Sequence, residues 1–242
     1  MTEIRLELQE WCSKDECTKR ELLSIQGKLC FMAKVVNSGH IFVRRIINAA
    51  KKARNLHSKI HLKAEMKKDF RWWLKCLGSH NGVKWFPDMI SESNSTLVFT
   101  DASDTAAAAV VDAKWTILYF DGRYSWVKEK SINYREMLAV VLAVSTFGRY
   151  LKNKSVLMDI DNKGMQQAVQ SGKSKEKEIM ALIRCIYFYT STNNVQYRTV
   201  FIEGKTNVLE DRLSRGQLKE FRMLAPLSEI SMTAPADMLL NF

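Results

Sequence analysis

The chain has 242 residues, 46% of them hydrophobic, with 10 Gly and only 3 Pro, which is enough for one large domain or two small ones. No apolar run approaches the roughly 18 residues that a membrane span needs. The net charge is +11 and lopsided, with 18 Lys and Arg against 9 Asp and Glu in residues 1–90, and 12 against 2 in residues 34–75.

Cations so concentrated point to a polyanion, of which nucleic acid is the usual one. The opening Met1-Thr2-Glu3-Ile4-Arg5 lacks the basic-then-apolar pattern of a signal peptide. Five cysteines, an odd number at irregular spacing, fit reduced thiols in an intracellular compartment, cytoplasm or nucleus.

Residues 1–77 read as helices. Thr18 is placed to cap a helix carrying Glu21, Leu22, Ile25 and Leu29. After Gly39, Ile41-Phe42-Val43 and Ile46-Ile47 form a second amphipathic helix with Arg44, Arg45, Lys51 and Lys52 outside. A third, from about Leu62 to Leu77, puts Phe70, Trp73, Leu74 and Leu77 on one side, leaving Trp72 beside Arg71 as a candidate for a nucleic-acid face. Ser79-His80-Asn81-Gly82 ends it, and residues 91–95 read as a polar linker. The expected boundary lies near residue 90, giving a helical basic domain over 1–90.

From residue 95 the pattern alternates. Leu97–Thr100 is a buried strand, and Ala106–Asp112 and Trp115–Phe120 are two more joined by a tight turn. A long helix over Asn133–Tyr150, with Asn133 as its cap, carries Met137, Leu138, Val141, Leu142, Val144 and Phe147. Strand Ser155–Ile160, a short helix from Lys163 stopped by Gly172, helix Lys175–Tyr189, strand Val195–Ile202 and a closing helix Asn207–Arg215 complete the series. This order predicts an α/β domain over 91–216 with a mixed five-stranded sheet flanked by helices. Residues 217–242 read as a C-terminal tail or linker.

Four carboxylates stand where such elements end. Asp101 follows the first strand, Asp161 the fourth, Glu136 lies in the first turn of the long helix, and Asp211 sits in the closing helix. Adjacent strands lie about 4.8 Å apart, so two strand-end aspartates can share a cation if their strands pair. Converging carboxylates repel unless cations sit between them, and two metals about 3.5–4 Å apart are suited to an in-line displacement at a phosphodiester. Asp159 competes with Asp161, because residues two apart on a strand face the same side. Asp104 and Glu210 read as solvated neighbours.

The series Thr100-Asp101-Ala102-Ser103, Asn133-Tyr134-Arg135-Glu136, Asp161-Asn162 and Asn207-Val208-Leu209-Glu210-Asp211-Arg212-Leu213-Ser214-Arg215 resembles the ribonuclease H domains of retroelement reverse transcriptases, DIRS-type retrotransposons above all. Upstream, Lys19-Arg20-Glu21-Leu22, Gly27-Lys28-Leu29 and Asp69-Phe70-Arg71-Trp72-Trp73 resemble the thumb or connection segment that precedes that domain. The resemblance implies a ribonuclease H-like fold and hydrolysis of the RNA strand of RNA–DNA hybrids, with a polymerase domain as partner in the parent polyprotein. It also implies Asp101, Glu136, Asp161 and Asp211 as catalytic, metal-binding residues for two Mg²⁺ ions, with Mn²⁺ as substitute.

Several positions depart from that family's pattern. Ala106 and Ala108 replace glycines, Glu210 replaces an alanine, and Val200-Phe201-Ile202 stands where a histidine is expected, which points to slower turnover. No Tyr-x-Asp-Asp polymerase motif occurs. Two rival readings remain: an inactive relative kept for binding nucleic acid, and a transposase or integrase. The latter usually closes its set with Glu rather than Asp211 and lacks a counterpart of Glu136.

Overall fold

The computed structural model describes residues 2–36, 38–79, 92–202, 208–226 and 232–239. The chain divides into two compact units, Met1–Phe86 and Pro87–Asn241.

In the first unit, α1 (Thr2–Ser13), α2 (Lys19–Met32), α3 (Gly39–Lys52) and α4 (Ala64–Ser79) enclose a small core. Thr18 and Glu21 form a reciprocal capping box at the start of α2: Glu21 N–H donates to Thr18 Oγ1 at 3.3 Å and Thr18 N–H to Glu21 Oε2 at 2.7 Å. Gly39 starts α3 because a Cβ there would lie 2.6 Å from the Trp73 ring and 2.9 Å from Ala33 Cα.

Three features differ from the sequence expectation. Helix α1 is buried only through Leu8 and Trp11 among its apolar residues, a stripe too narrow to read as periodicity. The unit is not wholly helical either, since β1 (Glu16–Thr18) pairs antiparallel with β2 (Lys59–His61); three-residue strands are too short for alternation to show. Trp72 is 1% exposed and stacks flat on Phe42 with ring centroids 3.9 Å apart, so it belongs to the core and not to a nucleic-acid face.

The second unit begins with a short 3-10 turn, Glu92–Asn94, followed by β3 (Thr96–Ala102), β4 (Ala106–Val111) and β5 (Lys114–Tyr119). A second 3-10 segment, Gly122–Glu129, leads into α5 (Ile132–Thr146). Then come β6 (Ser155–Ile160), α6 (Lys163–Ser171), α7 (Lys177–Thr192), β7 (Gln196–Phe201), α8 (Val208–Ser214) and α9 (Leu218–Leu224). The sheet order is β5-β4-β3-β6-β7, with β3, β4 and β5 antiparallel and β3, β6 and β7 parallel. It is the mixed five-stranded α/β sheet that the sequence predicts.

Helix α5 packs along β3, β4 and α7, and Met137 through Val144 are all buried, as a helix inside a layered core requires. Its cap is Ser131, whose Oγ accepts the Tyr134 N–H at 3.3 Å, rather than Asn133, whose side chain is used elsewhere. The helix also stops at Thr146; Phe147 and Leu151 keep the helical spacing through turns, because Leu151 N–H still reaches Phe147 C=O. In β4 every residue is buried, including Ala106 and Ala108, so these alanines fit the strand.

The expected tail is partly built into the fold. Phe221 of α9 is fully buried against Trp115, Ala108, Val110 and Leu213, its ring centroid 5.5 Å from that of Trp115. Further on, Met232 N–H donates to Trp115 C=O at 2.9 Å and Thr116 Oγ1 to Met232 C=O at 2.7 Å, along the outer edge of β5. At the opposite edge, α6 covers β7. Gln166 Nε2 donates to Thr199 C=O at 2.9 Å, and Gln170 Oε1 accepts the Thr199 N–H at 3.0 Å. Residues 203–207, which join the expected strand Val195–Ile202 to the closing helix, lie outside the described residues.

Candidate functional site

Strands β3 and β6 run parallel with Phe99 opposite Asp159. Two residues further along each strand, Asp101 and Asp161 therefore leave the same end of the sheet at the same level, about one interstrand spacing apart. Burial raises both carboxyls above their usual range. The charges of Asp161 and Asp211 raise Asp101 further, and that of Asp211 raises Asp161 further. Asp159 sits one pair lower, paired with Phe99 and Val200 and 8% exposed. Its charge acts on Glu210, so the register places Asp161 with the other carboxylates and Asp159 beneath them.

Glu136 enters from the first turns of α5. Burial pushes its carboxyl up to about 7, with Asp161 and then Asp101 adding to the shift and a hydrogen bond from Asn162 opposing it. Its Oε2 is buried and has no hydrogen-bond partner among the described residues. Asn162 ties the two elements together: its Nδ2 donates to Asn133 Oδ1 at 3.0 Å, while its own Oδ1 accepts the N–H groups of Gly164 and Met165 and caps α6.

Asp211 arrives on α8 and accepts from Arg215 Nε at 2.6 Å. On the same helix, Ser214 Oγ donates to Asp101 Oδ2 at 2.5 Å. Glu210 corrects the expectation of a solvated neighbour. It is 3% exposed, and burial drives its carboxyl up to about 7, with the charges of Asp101 and Asp159 adding to that. The short α8 turns position 210 inward when Asp211 and Leu213 take their places, which a single-sequence pattern over seven residues does not reveal. Asp104 is solvent-facing as expected, with Arg135 donating to its Oδ1 at 2.5 Å.

The structure thus brings Asp101, Asp161 and Asp211 from three elements within electrostatic reach of one another, with Glu136 from a fourth within reach of Asp161 and Asp101. Among the described residues, no three His, Cys, Asp or Glu side chains stand in a ready-made ion-gripping arrangement. The fit to a hard divalent cation is one of chemistry: oxygen-only donors, three carboxyls raised by burial with neighbouring negative charges adding to it, and a Glu136 Oε2 without a partner among the described residues. Phe201, where a histidine was expected, ends β7 with 43% exposure.

The first unit carries its own basic feature, a cavity of about 630 Å³ whose walls include Arg45, Lys52, Arg54, Lys59 and Lys63, with an apolar floor of Ala49 and Ile60 among others. Arg45 is committed to Asp69 and to Glu65 C=O, and Lys59 lies 3.6 Å from Glu16. Lys52, Arg54 and Lys63 have no ion-pair partner among the described residues and are exposed. Lys173, Lys175 and Lys177 form a second exposed cluster where α6 gives way to α7. No helix among the described residues is long and apolar enough to cross a membrane.

Residues 91–189 match the family model of an RNase H-like domain found in reverse transcriptase. The match takes in Asp101, Glu136 and Asp161; Asp211 lies beyond it. No curated protein matches the chain. Similar solved structures include a foamy viral protease-reverse transcriptase dRH in complex with double-stranded DNA, 12% identical, with 83% of this chain and 35% of that chain covered and a TM-score of 0.27. A foamy viral protease-reverse transcriptase in complex with RNA/DNA hybrid is also 12% identical, with 83% and 27% covered and a TM-score of 0.28. The chain spans about a third or less of the length of these two structures. Its mixed five-stranded sheet with flanking helices is consistent with the RNase H-like domain whose family model residues 91–189 match.

Proposed function

We propose that the second unit hydrolyses the RNA strand of RNA–DNA hybrids with the aid of divalent cations, as the nuclease part of a retroelement reverse transcriptase of the DIRS type. The observation that carries this reading is the convergence of Asp101, Glu136, Asp161 and Asp211 at one end of the sheet, three of them within the stretch that matches the family model. The closing Asp211-Arg212-Leu213-Ser214-Arg215, which resembles the last motif of retroelement ribonuclease H domains, supports it.

Asp101, Glu136, Asp161 and Asp211 would hold Mg²⁺, or Mn²⁺ in its place, as two ions. When bound, such cations lower the barrier by offsetting negative charge that builds at the phosphodiester. The chain's own residues do the placing. Asp101 and Asp161 present oxygens from the level strand ends, Glu136 closes the site from α5, and Asp211 closes it from α8. In the reaction, a water oxygen bonds to phosphorus in line as the P–O3′ bond breaks, leaving a 3′-hydroxyl and a 5′-phosphate. RNA is told from DNA by 2′-hydroxyl contacts across a wide minor groove. The basic first unit holds the nucleic-acid backbone, consistent with a thumb or connection segment working inside the cell beside a polymerase domain.

The test incubates the purified chain with labelled RNA–DNA hybrid, duplex DNA and duplex RNA, in Mg²⁺ or in EDTA. Cleavage of the hybrid alone, abolished by EDTA and by Asp161→Asn, is the expected result. Tight binding without cleavage in Mg²⁺ or Mn²⁺ would leave a binding module, and cutting of duplex DNA would favour a transposase-type nuclease.

A further inference from the structure

Resting on the hydrolytic reading above, we propose that Ser103 is a positioning residue that holds the Asp211 helix and the Glu136 helix in register with Asp101. Ser103 opens the turn between β3 and β4, two residues after Asp101. Its Oγ accepts the N–H groups of Thr105 at 3.0 Å and Ala106 at 3.2 Å, which is ordinary turn chemistry. The hydroxyl proton goes outward, to Ser214 C=O at 2.6 Å.

That carbonyl belongs to the last residue of α8, a helix of seven residues whose final carbonyls have no partner within the helix. Ser214 answers from its side chain, donating to Asp101 Oδ2 at 2.5 Å. The two serines therefore close a ring between the β3 end and α8: Ser103 Oγ–H to Ser214 C=O, and Ser214 Oγ–H back to Asp101. Asp211 lies one helical turn before Ser214, so the ring fixes its approach to Asp101.

The main chain of Ser103 makes the third connection. Arg135, the residue before Glu136, donates from one guanidinium nitrogen to Ser103 C=O at 3.2 Å and to Asp104 Oδ1. One residue thus joins β3, α5 and α8, which carry three of the four carboxylates. Thr105 Oγ1 also points at Ser214 C=O, but at 3.4 Å it is too far to replace the Ser103 bond. Removing the Ser103 hydroxyl leaves the α8 terminus without its strong donor and frees Asp211 to drift, while the hairpin remains.

The experiment titrates Mn²⁺ into the full chain by electron paramagnetic resonance, for wild type, Ser103→Ala and Ser103→Thr, with circular dichroism in EDTA to establish folding. Outer-shell partners of metal-binding side chains typically contribute 10–100-fold in affinity, so Ser103→Ala is expected to weaken Mn²⁺ binding about tenfold. Ser103→Thr, which keeps the hydroxyl, stays within about twofold of wild type. Hybrid affinity in EDTA is unchanged in both. A folded Ser103→Ala with wild-type Mn²⁺ affinity overturns the positioning role and leaves the hydrolytic reading standing. Equal weakening in Ser103→Thr also overturns it, since bulk rather than the hydroxyl would then be at work. Should Ser103→Ala not fold, the near-isosteric weak donor in Ser103→Cys takes its place, with the same expectation and the same overturning result. A wild-type chain that neither binds Mn²⁺ nor cuts hybrid overturns the hydrolytic reading, and the positioning role with it.

Discussion

Asn162 and Asn133 are joined side chain to side chain, Nδ2 to Oδ1 at 3.0 Å, and this bond spans from the end of the Asp161 strand to the first turn of the Glu136 helix. Because the other half of the Asn162 amide caps α6, one side chain sets the mutual position of three elements.

Replacing Asn162 separates those two duties. Asn162→Ala removes both the cap and the link, and is expected to destabilise the unit by about 1 kcal/mol or somewhat more in urea denaturation. Asn162→Asp keeps the capping oxygen and recovers most of that loss, but it cannot donate to Asn133 and places a further negative charge beside Glu136. Both variants should therefore cut the hybrid more slowly than wild type although they differ in stability; an Asn162→Asp chain that cuts at the wild-type rate would show that the link is idle.

Glu210 and Glu136 set the pH response of the cation-free protein. Each carboxyl sits at about 7 in the folded chain against an ordinary 4.5. Between those values the folded state keeps protons that the unfolded chain has released. Stability therefore falls as pH rises from about 4.5 to about 7, and stays at the lower level above it. Urea midpoints in EDTA should be higher at pH 5 than at pH 8. Glu210→Gln should flatten the difference, and a slope unchanged by that substitution would remove Glu210 as its source.

Nucleic-acid affinity should depend on the first unit. Lys52, Arg54 and Lys63 are exposed around the basic cavity, without an ion-pair partner among the described residues, and each backbone phosphate that a cation neutralises contributes to the salt dependence of binding. The triple alanine variant is expected to weaken hybrid binding and reduce the slope of log Kd against log salt by about 2–3. The effect should be the same whatever the sequence of the hybrid. An unaltered slope would move the backbone contact elsewhere on the chain.

The thiols should fall into separate reactivity classes. Cys30 is exposed, whereas Cys17, Cys76 and Cys185 are buried; burial raises the Cys17 thiol to about 11 and the Cys76 thiol to about 12. Since the thiolate is the reacting form, a colorimetric thiol reagent at neutral pH should label Cys30 quickly and Cys12 more slowly. The other three should react only on unfolding. Rapid labelling of Cys76 would mean that the α4 core opens readily.

Much of this was legible in the sequence, for physical reasons that also explain the misses. The strands of the large sheet and the helices with a broad buried face were visible because burial on one side imposes a period, and α5 stood out because it is apolar nearly all round; α1, with two buried apolar residues, and α9, in the expected tail, were not. Asp101 and Asp161 could be placed because each stands at the end of an apolar strand, and Glu136 and Asp211 because each lies near the start of a helix that follows a strand or turn. What stayed hidden depends on long-range pairing. The β1–β2 ribbon joins two triplets with no period of their own, and Trp72 is claimed by Phe42 on another helix. The Asn133 side chain is drawn from the cap by Asn162. Glu210 was misjudged because a charged residue on a seven-residue helix is assigned to solvent unless the neighbouring layers are known. Asp159 and Asp161 are indistinguishable by alternation, and only the register with β3 separates their levels.

The two outer strands bear on how the molecule behaves in company. Exposed strand edges invite pairing with other chains, yet at Thr199 the β7 edge is occupied by two glutamines of α6, and at Trp115 and Thr116 the β5 edge is occupied by Met232. A recombinant version ended at residue 216 would strip away that second cover together with Phe221, leaving Trp115 and a bare strand open to its neighbours. Expression of the second unit alone should therefore retain the polypeptide through residue 239, and shorter versions should be the ones that aggregate.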